Sequence, residues 1–178
     1  FANSFKNKKV KWVHIDINQS KELTKTLSNC DVVINTTQYN MNLKVMEAAL
    51  TAKIHYIDLG GLFHQTKKQL KLNKKFKTAG IIAIVGCGAT PGITNIMANY
   101  GSKFFEEIND IHVQFADKDY TKYNMSFVVP YSMHTIFDEF SMKPAIFLNG
   151  KLKFVEPISG SEKIKFPYPV YKATCFYT

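Results

Sequence analysis

The sequence predicts an α/β fold, a doubly wound parallel sheet followed by part of a mixed α/β unit, and two observations carry that prediction. Up to about residue 107, short β-rich runs alternate with helical stretches, a rhythm that implies right-handed crossovers and parallel strands. Beyond it the pattern changes to alternation of apolar and polar residues, with turn signals at Asn149-Gly150 and Ser159-Gly160, as in a mixed or antiparallel sheet. The expected boundaries are therefore residues 1–107 for the first domain and 108–178 for the second.

Residues 11–17 alternate and are β-rich, which predicts a strand. Residues 20–29 open on Ser20, a suitable N-cap, and predict a short helix. Residues 31–35 form a brief apolar run of the buried parallel type. In residues 42–52, Leu43, Val45, Met46, Ala49 and Leu50 mark one buried helix face. A strand over 54–58 is broken by Gly60-Gly61, and a helix over 65–79 is stopped by Gly80 in a C-terminal cap position. Residues 81–85 predict a strand, 86–92 a loop and 93–105 a helix. In the second half, strands are expected over 108–116, 126–130, 151–155 and 171–177, with a short helix over 132–140. Phe1 opens in polar, loop-like sequence and Cys175 to Thr178 stop within an apolar strand, so the chain is expected to be an internal segment of a longer protein.

Composition removes several function classes. No run of eighteen apolar residues occurs, so no membrane span is expected. Cys30, Cys87 and Cys175 are scattered and odd in number, which suggests neither a disulfide framework nor a zinc site and fits a reducing, cytoplasmic setting. His14, His55, His64, His112 and His134 show no metal-ligand spacing, so no metal is expected. The net charge of +9 could signal an acidic partner. However, Lys67, Lys68, Lys71, Lys74, Lys75 and Lys77 read as a solvated helix face, and arginine is absent from the chain. Nucleic acid is therefore not an expected partner.

In open parallel sheets, ligands bind beyond the carboxyl ends of the strands. Those ends here are Asp16-Ile-Asn18, Asn35-Thr36-Thr37, Asp58-Leu-Gly60-Gly61 and Gly86-Cys87-Gly88. Glycine admits a close backbone approach, and threonine and asparagine offer uncharged donors and acceptors, a lining suited to a nucleotide and a small polar substrate. Glycines and threonines often only turn a chain, but four consecutive ends of one character weaken that reading. A Gly-x-Gly-x-x-Gly phosphate fingerprint is not present, because the Gly86/Gly88 pair is followed by Pro91. Cys87 is expected to pack rather than react. His14 and His55 read as structural, and His64 as a helix-entry residue near the pocket mouth.

Three stretches then resemble a family: Asp31-Val-Val-Ile-Asn-Thr-Thr-Gln-Tyr39, His55-Tyr-Ile-Asp-Leu-Gly-Gly61 and Ala79 to Asn95, whose Gly-x-Gly-x-x-Pro-Gly-Ile run from Gly86 to Ile93 is the most specific part. In order and spacing they are similar to saccharopine dehydrogenases and their lysine dehydrogenase relatives. Ile136-Phe-Asp-Glu-Phe140, Lys143-Pro-Ala145 and Phe166-Pro167 look like the start of that family's second domain. The resemblance implies a Rossmann domain, NAD or NADP as cofactor, hydride transfer at a carbon bearing an amine, an amino-acid substrate, and a homodimer formed through the second domain. By motif it places Asp16, Asn35, Thr36, Thr37, Gly60, Gly61, Gly86, Cys87 and Gly88 on the cofactor, and Pro91, Gly92, Thr94 and Asn95 on the substrate. Tyr39, Asp58 and His64 are the candidates for managing the amine proton. Fungal saccharopine reductases read Asp-Pro-Gly-Ile-Asp-His where this chain has Thr90-Pro-Gly-Ile-Thr-Asn95. The charged groups are replaced by neutral ones, which leans towards lysine over saccharopine. A carboxynorspermidine dehydrogenase-like polyamine enzyme and a non-catalytic nucleotide-binding protein are the alternatives.

Overall fold

The computed structural model describes residues 9–125, 128–129 and 131–178. Three parallel strands form the first sheet: β1 (Val32–Asn35), β2 (His55–Asp58) and β3 (Ala83–Ile84), in that spatial order. Asn35 lies opposite Asp58, and Ile57 opposite Ile84, so the three carboxyl ends share one edge. The pairing continues past β3, where the Cys87 amide donates to the Asp58 carbonyl at 2.8 Å.

Helices α1 (Ser20–Leu27), α2 (Asn42–Ala52), α3 (Phe63–Leu70) and α4 (Asn73–Ala79) connect and cover these strands. The apolar spacing of α2 works as expected, with Val45, Met46 and Ala49 buried against Leu23 and Leu27 of α1, Tyr56 of β2 and Phe76 of α4. Gly80 ends α4 at φ 70, the left-handed cap conformation that glycine adopts without steric penalty. The single helix expected over 65–79 is two. Lys71 and Leu72 donate to carbonyls three residues back, tightening the chain between α3 and α4. Gln65, Gln69, Leu72 and Phe76 nevertheless stay on one buried face.

This packing lies on one side of the sheet. Val33 packs on the core, whereas Val32, Ile34 and Ile84 are exposed. Residues 11–17, expected as a strand, carry no ladder among the described residues, although Ile15 and Ile17 pack on the core. A β conformation is held by hydrogen bonds to a neighbouring strand, and no described strand lies beside this segment.

Helix α5 (Ile93–Ser102) follows the 86–92 loop and ends earlier than residue 105. Its last turn contains Gly101, and Phe104 donates back to the Gly101 carbonyl. Residues 108–116 are irregular where a strand was expected; their apolar–polar alternation is satisfied by exposure rather than by pairing. The strand expected over 126–130 lies mostly outside the described residues. Helix α6 (Met133–Ser141) matches the predicted helix within one residue. Four further strands make two antiparallel hairpins, β4 (Ala145–Leu148) with β5 (Lys151–Phe154), and β6 (Glu162–Lys165) with β7 (Lys172–Cys175). The β4–β5 loop is Asn149-Gly150, at φ 53 and 73, the paired positive angles of a type I′ turn. The Ser159-Gly160 turn instead precedes β6, and its Ser159 carbonyl accepts from the Tyr177 amide at 2.9 Å.

Candidate active site

The carboxylate of Asp58 is the organising group of the strand-end edge. It is fully buried and accepts four hydrogen bonds. Oδ1 accepts from the Gly60 amide at 2.8 Å and the Gly86 amide at 2.9 Å. Oδ2 accepts from the Tyr56 hydroxyl at 2.9 Å and from Gln69 Nε2 at 2.5 Å. One side chain therefore fixes the chain leaving β2 and the chain leaving β3. A buried carboxylate is tolerated only when its lone pairs are matched in this way. Burial pushes the Tyr56 hydroxyl well above its ordinary value, with the Asp58 charge acting in the same direction, so it remains a donor.

Asn35 extends this network to β1. Its Nδ2 donates to Asn42 Oδ1 at 2.8 Å, and its Oδ1 accepts from the Thr37 hydroxyl at 2.8 Å. Asn42 in turn donates to the Gly60 carbonyl at 3.1 Å. Thr36, between Asn35 and Thr37, is exposed on the edge.

Two glycines are set by space. At Gly60, φ is 99 and a Cβ would lie 2.7 Å from Pro91 Cγ, so the Pro91 ring can close over the end of β2. At Gly61 a Cβ would lie 2.6 Å from Tyr39 Cβ. The Tyr39 ring thus lies against the backbone that follows β2, brought there by the 3-10 turn Tyr39–Met41. Its hydroxyl donates to Asp138 Oδ2 on α6. Burial, and then Asp138, push the Tyr39 pKa up to about 12, so the hydroxyl keeps its proton at neutral pH.

The structure brings Asn35, Thr37, Tyr39, Asp58, Gly60, Gly61, Gly86, Gly88 and Pro91 to one edge of the sheet. Gly88 approaches the Leu59 carbonyl so closely that a Cβ would lie 2.3 Å from it. Cys87 is exposed in the same loop. Asp58 lies beneath this edge with its oxygens filled from within the protein, out of reach of a ligand. His64 stacks on Phe154 of β5, with ring centroids 5.4 Å apart and planes 10° from parallel. Asp16 is exposed and closes a local turn, its Oδ1 accepting from the Asn18 amide at 2.9 Å. The Thr94 hydroxyl donates to the Ala89 carbonyl at 3.3 Å, and Asn95 Oδ1 accepts from the Gly92 amide at 2.9 Å, bracing the start of α5.

Sequence reasoning missed Asn42, Tyr56, Gln69 and Asp138. The signal for Asn42 and Tyr56 was present: each is a polar group at a position whose periodicity assigns it to the core, where a partner is obligatory. Gln69, set among lysines, gives none. Asp138 gives no such signal, since its partner stands 99 residues away. Among the described residues, no cluster of His, Cys, Asp and Glu could hold a metal, and no helix is long and apolar enough to cross a membrane.

A neutral, glycine-lined edge at the carboxyl ends of parallel strands is the place where open α/β sheets take nucleotides. The fold class is a partial Rossmann-type α/β domain of the kind that binds NAD(P). Residues 1–84 match the family model "Saccharopine dehydrogenase NADP binding domain". The backbone matches that of apo histidine-tagged saccharopine dehydrogenase (L-Glu forming) from Saccharomyces cerevisiae with a TM-score of 0.57 at 18% identity, over 94% of this chain and 39% of that one. In these matches the chain is similar to the saccharopine dehydrogenase-like family. Among its curated relatives is a carboxyaminopropylagmatine dehydrogenase of Synechocystis sp., 26% identical over 169 residues, covering 90% of this chain and 42% of the relative. Another is a carboxynorspermidine synthase of Vibrio cholerae, 31% identical over 120 residues, covering 60% of this chain and 29% of the relative. The chain thus spans less than half the length of these relatives.

Proposed function

We propose that the protein carrying this chain is an NAD(P)-dependent oxidoreductase that transfers a hydride at a carbon bearing an amine. The observation that carries the reading is the strand-end edge held by Asp58, with the protonated Tyr39 hydroxyl beside it. Asn35, Thr36, Thr37, Gly60, Gly61 and Gly86 would hold the cofactor, which supplies or accepts the hydride when bound. Pro91 and Gly92 would border the substrate, with Thr94 and Asn95 behind them.

The chain's own groups must handle a proton. An ammonium has no free lone pair, so it must lose one proton before its carbon can release a hydride and become an iminium. Tyr39 is the group on this edge suited to that transfer. Asp58 acts through the backbone it fixes, and His64 through its packing on Phe154.

For the substrate, a carboxylate-bearing polyamine is favoured over lysine. The relatives named for carboxyaminopropylagmatine and carboxynorspermidine support this. The neutral Thr90–Asn95 stretch and the absence of arginine also suit a cationic substrate better than the three carboxylates of saccharopine. Homodimerisation through residues 108–178 belongs to the same reading, and the exposed Phe147, Leu152 and Phe154 of the β4–β5 hairpin fit a contact surface.

The test is a steady-state comparison of the full-length protein with NAD and NADP on carboxynorspermidine, lysine and saccharopine. The highest kcat/KM is expected for carboxynorspermidine. A preference for lysine would move the substrate to the second reading. Cofactor binding without turnover of any amine would replace the enzyme by a nucleotide-binding protein.

A further inference from the structure

Helix α6 lies far from the strand ends in sequence, yet it supplies the partner of Tyr39. The Tyr39 hydroxyl donates to Asp138 Oδ2, and His134 Nε2, one helical turn earlier, stands 3.4 Å from the same oxygen. The side chain of Asp138 is 22% exposed, whereas that of His134 is 59% exposed. The three groups therefore form a line from the strand-end edge, through a mostly covered carboxylate, to an exposed imidazole. Glu139, next on the helix, adds negative charge facing Tyr39, but its own carboxylate is engaged by the Tyr131 hydroxyl at 2.7 Å. Gly61 adds only backbone to the contact with the Tyr39 ring.

The geometry points to Asp138 as the positioning residue of the reaction, orienting the Tyr39 hydroxyl and receiving its proton while His134 connects the pair to solvent. This rests on the oxidoreductase reading above. In the oxidative direction, the Tyr39 oxygen takes one proton from the substrate ammonium as its own proton passes to Asp138 Oδ2. That proton then moves to His134 or to water. The tyrosine ends neutral, the amine has gained a free lone pair, and no further reactant is required. Without a neighbouring acceptor, a phenol whose proton is held this firmly would be a poor base. Asp138 removes that obstacle because the proton leaving Tyr39 has a carboxylate to enter.

The pairing can be tested without turnover. In the full-length protein, phenolate absorbance is titrated for wild type, Tyr39→Phe, Asp138→Asn and the double variant, so that Tyr39 is isolated by difference. Asp138 raises the Tyr39 pKa both by hydrogen bonding and by its charge. In Asp138→Asn the Tyr39 step is therefore expected to move from about 12 to lower pH by about one unit or more. An unmoved step would overturn the pairing. With substrate, Asp138→Asn is expected to lower kcat about a hundredfold, with substrate KM and NADP affinity within about twofold, and Asp138→Glu to restore part of the loss. A moved titration step with unchanged kcat would overturn the relay. A wild type that oxidises none of the amines would refute the oxidoreductase reading instead, and the absorbance titration would still decide the pairing.

Discussion

Leu23, Leu27, Val45, Met46, Tyr56 and Phe76 close into one core over a face of β1–β3, whereas from residue 77 onwards no described residue is fully buried. The contrast does not come from a shortage of apolar side chains in the second part. Phe104, Phe105, Phe115, Phe137, Phe147 and Tyr168 all lie there, each more than half exposed. It comes from layering. In the first part β1 and β2 are each followed by helices that return across the same face, so the apolar sides of strand and helix meet. In the second part the hairpins satisfy their backbone groups between paired strands but no second layer covers their side chains. Backbone pairing and hydrophobic burial are separable, and this chain shows one region with both and another with the first alone.

The largest effect is expected from truncating equivalent aromatic rings in the two regions. Phe76→Ala in the core should cost about 3–5 kcal/mol of stability, while Phe147→Ala on β4 should change that of the monomer by no more than about 0.5 kcal/mol. Urea denaturation of the chain measures both. A comparable loss at Phe147 would mean that its face is covered in solution. Next is the polar centre of the first region. Asp58→Ala strands the Tyr56 hydroxyl, Gln69 Nε2 and two backbone amides, and a loss of about 3 kcal/mol or more is expected. A loss under about 1 kcal/mol would show that water or rearrangement replaces the carboxylate. The smallest effect belongs to the exposed rim. Thr36→Val in the full-length protein should weaken NADP by about 1 kcal/mol, the usual net worth of a hydrogen bond, with stability unchanged. An unaltered Kd would show that Thr36 points away from the cofactor.

The regions also differ in how much of them could be read in advance. Periodicity located α2 to the residue, because Val45, Met46 and Ala49 repeat as one helix face and are buried as one. The Asn149-Gly150 signal located the turn before β5, because both residues accept the positive φ it demands, but β4 was not expected. Residues 11–17 and 108–116 were misread for a common reason. Alternation reports which way side chains would point in a strand, but not whether a neighbouring strand is there to complete the ladder. At the site, the glycines and hydroxyl residues could be picked out as strand-end chemistry. The arrangement beneath them could not: Gln69 sits among lysines as an apparently solvated residue, and only the folded chain sets its amide against Asp58. Asp138 lies within the Ile136–Phe140 motif, but its partner Tyr39 is a matter of tertiary contact.

The two amides held by Asp58 Oδ1 have a consequence for how the strand-end edge moves. Gly60 and Gly86 lie in connecting segments rather than strands, where amide protons ordinarily trade with solvent through small local openings. Here neither can detach without leaving part of a buried carboxylate bare, in a place where water reaches it only if Gln69 and Tyr56 also give way. The strand-end edge therefore opens on the schedule of the core, and in deuterium exchange Gly60 and Gly86 should label as slowly as Tyr56 at the centre of β2.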